Sequence, residues 1–150
     1  MSNVITKEQK HEEMLQRIRG FRLLDDDFMT KCFEENIEAT ELVLRIVLDK
    51  PDIKVEKIQT QYSMKNIKGR SLRLDIYATD SKGRKFNIEI QRADRGAGAK
   101  RARYNSSLLD ANLTQTGGAY DALNETYVIF ITEHDVLRRN LPIYHVNRII

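Results

Sequence analysis

The chain has 150 residues, 41% hydrophobic and 31% charged, with a net charge of +3 at neutral pH. That balance fits one soluble globular domain with a modest core and excludes a disordered or low-complexity chain. No apolar run is long enough to span a bilayer and no signal-peptide-like segment opens the chain, so the expectation is a cytoplasmic protein without a membrane partner.

Residues 1–24 read as a polar appendage. Thr6-Lys7-Glu8-Gln9 fits a capping box, which predicts a short helix up to Arg19 that Gly20 stops. Asp25-Asp26-Asp27 then offers N-caps and dipole-favourable acids for one long helix ending before Pro51. Its apolar positions Phe28, Cys32, Phe33, Ile37, Leu42, Val43, Ile46 and Val47 recur at helical spacing, and Cys32 reads as a core residue rather than a reactive thiol. Residues 53–64 are rich in β-branched side chains and predict a first strand. Residues 71–79 and 85–91 predict two more, joined by Asp80-Ser81-Lys82-Gly83, a type I turn closed by a glycine suited to positive φ. Gly96-Ala97-Gly98 opens a second helix over residues 99–113, closed by Gly117-Gly118. Residues 127–132 (YVIFIT) have the continuous apolar character of a fully buried strand, and residues 143–150 offer the start of another.

The turn pairs Asp80 with Arg84, so the register sets Asp75 opposite Glu89 and Arg73 opposite Gln91. Period two then places Leu72, Leu74, Ile76, Ala78, Phe86, Ile88 and Ile90 on one face. Arg73, Asp75, Tyr77, Asn87, Glu89 and Gln91 take the other. Two acids directly across a strand pair repel, so this couple asks for a compensating cation. A hard divalent ion with oxygen ligands would supply it; a solvated face on which Arg73 neutralises part of the charge is the plainer reading. Arg92, Arg95, Lys100, Arg101 and Arg103 follow at once, either as a solvated helix face or as a docking surface for a polyanion. His11, His134 and His145 are too scattered for a zinc site.

An acid on the second strand and E-x-Q on the third, in the order helix, three strands, helix, strand, resembles the PD-(D/E)XK nuclease superfamily. More closely, the chain is similar to the bacterial PD-(D/E)XK nuclease family transposases, relatives of the recombination-promoting nucleases. The likeness is carried by Asp26-Asp27-Phe28-Met29, GRSLRLDIYATDSKGRKFNIEIQ (69–91), KRARYNSSLLDANL (100–113) and YVIFITEHDVL (127–137). It implies an α/β, restriction-endonuclease-like αβββαβ core with a mixed central sheet flanked by helices. The implied domain is 25–150, shortened at its C-terminal end. The implied activity is metal-dependent cleavage of DNA linked to transposition or recombination, with Mg²⁺ or Mn²⁺ as cofactor and DNA as partner, self-association being left open.

By position, Asp75 and Glu89 match the family's two metal-binding acids, and the Ile90 carbonyl matches its third protein oxygen. Gln91 stands where the signature has lysine; it carries no charge but can orient a water. Leu74 replaces the signature proline. The helix-borne Glu41 is an accessory acid candidate, with Glu34, Glu35 and Glu38 as competitors. The resemblance further implies that Arg73, Arg92, Lys100, Arg101 and Arg103 hold phosphates, while Tyr104 either stacks on the nucleic acid or packs as a half-buried helix aromatic. Because Gln91 is not lysine, a nuclease-fold DNA-binding or assembly module that does not cut is the alternative. An α/β interaction domain without a nucleic-acid partner is a third.

Overall fold

A computed structural model describes residues 6–20, 26–92, 97–114 and 116–147. Asp25, Arg95, Gly96 and residues 148–150 lie outside the described residues, as do the side chains of Asp26 and Asp27. Helix α1 (Lys7–Arg19) forms as the capping box predicts: Thr6 Oγ1 accepts from Gln9 N, and Gln9 Oε1 accepts from Thr6 N. It buries none of its residues.

The expected long helix is instead two, α2 (Asp26–Phe33) and α3 (Ile37–Leu48). The break has a local cause. Glu35 takes a left-handed φ of 57°, and the Asn36 side chain caps α3 by accepting from Ala39 N at 3.0 Å. A side chain that can bond the backbone favours a cap over a helix interior, which outweighs the continuous apolar spacing. Asp49, at φ 50°, ends α3 just before Pro51.

Strands β1 (Val55–Met64), β2 (Leu72–Asp80) and β3 (Lys85–Gln91) form an antiparallel meander. Helix α4 (Ala99–Leu113) crosses over to β4 (Thr126–Thr132), which pairs parallel to β3. The result is an α/β fold with a mixed four-stranded sheet in the order β1-β2-β3-β4. The hairpin register matches the expectation, with Ile76 opposite Ile88 and Thr79 opposite Lys85. At its turn Gly83 has φ 77° and donates to the Asp80 carbonyl, while the buried Asp80 carboxylate takes bonds from Lys82 N, Arg84 N and Arg84 Nε.

Helices cover both faces of the sheet. Met29, Phe33 and Leu44 pack on one side with Ile76, Ala78, Phe86, Ile88 and Ile129. Leu108 and Leu109 of α4 pack on the other with Met64, Leu72, Leu74 and Tyr77. Three expectations need correction here. Leu72 and Leu74 do not share a cluster with Ile76 and Ala78, because β1 and β2 exchange faces together. Ile58 joins the α2/α3 side, whereas Tyr62 and Met64 join the α4 side. The exchange falls at Gln61, whose φ of 52° breaks strict alternation, and at its would-be partner Asp75. Second, β4 is not fully buried: only Ile129 among its residues is, because β4 pairs on one side alone. Continuous apolar character marks packing on two faces but does not distinguish a central strand from an edge. Residues 143–147 form no strand.

Candidate active site

Asp75 lies where the β1–β2 ladder skips a residue and the β2–β3 ladder ends. Pairing with β1 runs Thr60–Ile76 and then Tyr62–Leu74, and pairing with β3 stops at Ile76–Ile88. Past that point the amide of Ile90 donates to Asp75 Oδ2 at 2.9 Å, so a carboxylate stands where a ladder carbonyl would be the usual acceptor. The register carried one step on sets Asp75 opposite Glu89, and the Asp75 amide in turn hydrogen-bonds the Glu89 carboxylate. Arg73 does not reach a paired position across from Gln91, since the β2–β3 pairing has ended.

Glu89 is 1% exposed beneath α4. Asn87 Nδ2 donates to its Oε1 at 2.9 Å, and Arg101 Nη2 donates to its Oε2 at 2.8 Å. Asn105 Nδ2 donates to Asn87 Oδ1 at 3.3 Å, extending the network into the helix. The Asn105 Oδ1 atom is buried and has no hydrogen-bond partner among the described residues. Burial pushes the Glu89 carboxyl above its ordinary value; the Asn87 bond opposes this, the nearby Asp75 charge adds to it, and Arg101 opposes it again. A half-exposed Phe130 ring lies beneath the Arg101 guanidinium at 5.5 Å.

The other candidates divide by location. Gln91 is half-buried and shares the face of Glu89 by strand alternation, while its carbonyl accepts from Glu133 N. Lys100 and Arg103 are exposed on the first turns of α4. Arg92 is exposed, with its Nε 3.8 Å from Glu133. Arg73 is exposed and pairs with Ser63; it alternates with Leu72 and Leu74 and so leaves the α4 face. Tyr104 is a half-buried member of the α4 packing whose hydroxyl donates to the Arg70 carbonyl and accepts from Asn66 Nδ2 at 3.0 Å. It ties α4 to the β1–β2 connection.

Glu41 is not brought to the pair. Its carboxylate accepts from Val55 N at 2.8 Å and pairs with Arg45 at 2.7 Å, fastening α3 to the start of β1. Val55 pairs with Asp80, at the far end of β2 from Asp75, about 16 Å away at roughly 3.3 Å per residue. Glu34 in turn pairs with Lys31 at 2.6 Å.

Sequence reasoning missed Asn87, Asn105 and the pairing of Arg101 with Glu89. Two signals pointed to them. Asn87 precedes Glu89 by one strand period, and Arg101 and Asn105 lie one helical turn apart on α4.

No group of three or more His, Cys, Asp or Glu side chains converges among the described residues. A divalent ion here would therefore need backbone oxygen beside the two carboxylates. In a strand the N–H and C=O of one residue point the same way, so the Ile90 carbonyl lies on the edge where its amide meets Asp75. Asp75, Glu89 and the Ile90 carbonyl form a hard, all-oxygen set that fits Mg²⁺ or Mn²⁺, with water completing the shell.

No curated protein and no solved structure shows significant similarity to the chain. A family model described as PD-(D/E)XK nuclease family transposase matches residues 27–149, a span that holds the sheet, α4 and the Asp75/Glu89 pair. The chain belongs to the PD-(D/E)XK nuclease family transposases.

Proposed function

We propose that this protein is a metal-dependent DNA endonuclease acting in transposition or recombination. The observation that carries the reading is Asp75, which lies where the β1 ladder skips a residue and the β3 ladder ends, and whose carboxylate accepts from the Ile90 amide next to Glu89. Mg²⁺ or Mn²⁺, held by Asp75, Glu89 and the Ile90 carbonyl, would supply a Lewis acid for the phosphoryl oxygen and lower the pKa of the attacking water. The chain's own groups do the rest. Gln91, on the same strand face as Glu89, orients the water through its amide. Lys100 and Arg103 on the first turns of α4, with Arg92 just past the end of β3, hold flanking phosphates. Water attacks phosphorus and gives up a proton to solvent, the P–O bond to one sugar breaks, and the leaving oxygen takes up a proton from solvent.

The test is nicking of supercoiled plasmid by the parent, by Asp75→Asn and by Glu89→Gln, with Mg²⁺ and with Mn²⁺. The parent should nick and both variants should not. A second reading, a DNA-binding module that does not cut, is favoured by Gln91 and by the ion pair that Arg101 makes with Glu89. A parent that binds DNA yet leaves supercoiled, linear and single-stranded substrates intact with either metal would establish it.

A further inference from the structure

We infer that Arg101 supplies the active-site cation that position 91 lacks. The inference rests on the nuclease reading above and goes beyond it by moving the charge from strand to helix. Glutamine at position 91 leaves the E-x-Q end of β3 without a positive charge, since Lys85 lies at the other end of the strand, although two acids face one another there. The structure brings one in from α4: the Arg101 guanidinium lies 2.8 Å from Glu89 Oε2 and is supported underneath by Phe130. Its side chain is 38% exposed, so it meets the buried carboxylate from the solvent side, where a DNA phosphate would arrive. Lys100 and Arg103, its neighbours on the helix, remain exposed and do not share this position.

The chemistry suits the task. A guanidinium presents several N–H donors in a rigid fork, so it can keep one bond to Glu89 while offering others to a phosphoryl oxygen. Charge that builds on the phosphate oxygens during attack then meets a fixed cation in a partly desolvated site, where such donors are most effective. Arg101 is thus distinct from the phosphate-holding residues along α4, because it acts at the bond that breaks.

The same placement makes a second demand that does not depend on turnover. A guanidinium on Glu89 opposes a second cation there. Removing it should tighten metal binding about tenfold, the effect of ~1.4 kcal/mol of charge repulsion near a protein surface. Restoring a cation at position 91 should undo the change, because that side chain shares the strand face of Glu89.

The experiment compares the parent, Arg101→Gln, Gln91→Lys and the double variant Arg101→Gln/Gln91→Lys at pH 8. Mn²⁺ affinity is read by calorimetry and nicking on supercoiled plasmid. Arg101→Gln should bind Mn²⁺ about tenfold more tightly and nick about 100-fold more slowly. The double variant should return both quantities towards the parent, which packing of Arg101 on Phe130 alone could not explain. Gln91→Lys, which keeps Arg101, should bind Mn²⁺ about tenfold more weakly and nick no faster than the parent, because the site already holds its cation; a faster Gln91→Lys would overturn the role of Arg101 even if Arg101→Gln fails to fold. Unchanged Mn²⁺ affinity in the single variants, or a double variant as slow as Arg101→Gln, would overturn the role of Arg101 while leaving the nuclease reading intact. A parent that neither binds Mn²⁺ nor nicks would overturn both.

Discussion

Replacing Glu89 by glutamine separates a functional acid from a structural one. Glu89 is buried and its carboxyl is pushed above the ordinary value, chiefly by that burial. In Glu89→Gln the amide oxygen can keep the bond from Asn87 Nδ2, the buried charge disappears, and the Arg101 ion pair is removed. Arg101 is over a third exposed, so solvent can hydrate it, and removal of the pair should cost about 1 kcal/mol or less. Relief of the buried charge offsets this, so the melting temperature at pH 8 should move by less than about 4 °C, given roughly 2–4 °C per kcal/mol for a chain of this size. A structural ion pair would behave otherwise: removal of one partner costs about 3–5 kcal/mol, or a fall of about 6–20 °C.

The pH dependence has a definite sign. A carboxyl with a raised folded pKa makes the folded state bind more protons than the unfolded chain, from the ordinary 4.5 up to the folded value. Parent stability from this group is therefore fullest below 4.5 and falls as pH rises through that window. Thermal melts followed from about pH 4 to about pH 8 should show Glu89→Gln level with the parent in acid and gaining on it as pH rises. A loss beyond about 8 °C at pH 8, or a gap that widens towards acid, would refute the reasoning.

Tyr104→Phe removes the hydroxyl that joins Asn66 and the Arg70 carbonyl, and should cost about 1 kcal/mol by thermal melt while DNA affinity holds, since the ring is retained. Lys100→Ala with Arg103→Ala should lower the slope of log affinity against log salt by about two in fluorescence-anisotropy titrations, because each of the two side chains neutralises one phosphate. Asp80→Ala leaves the buried Arg84 with the half-exposed Asp52 in place of its buried partner and opens the hairpin turn, so the melting temperature should fall by about 6 °C or more, with cleavage per folded molecule unchanged. Gln61→Val should cost about 1–3 kcal/mol despite the higher strand propensity of valine, and Gln61→Gly should be near neutral, because φ at this position is 52°.

The hairpin was the most legible part of the fold, for a physical reason. Asp80 and Gly83 specify one turn, the turn fixes the register, and the register sets Asp75 against Glu89. The bounds of α4 and β3 followed from equally local signals. Three features escaped because long-range packing decides them. Burial of Asn87 and Glu89 comes from α4 crossing over their face, a placement that period two cannot supply. The exchange of faces at Gln61 needs a left-handed residue that is not glycine, and sequence gives no cue for one inside a strand. Arg101 read as one of several basic residues, because only the fold tells which helical cation turns inward.

The two buried acids of the sheet argue for different purposes. Asp80 closes a turn: both its oxygens are met by bonds from Lys82, Arg84 N and the Arg84 guanidinium, all within a few residues. Glu89 has no such local solution. Its partners come from β2, from its own strand and from α4, and the charge of Asp75 still presses on it. Around this level of the sheet lie a left-handed glutamine, an aspartate at which one ladder skips and the other ends, and an Asn105 oxygen that no described residue hydrogen-bonds. Each is an unfavourable feature that a sheet selected for stability alone would replace with a β-branched residue or a satisfied polar one. Local rules hold along the rest of the hairpin and fail together here, and such convergence marks a place where a sequence trades stability for chemistry. The energetics of the sheet thus single out the same candidate residues that the family's two acids match by position.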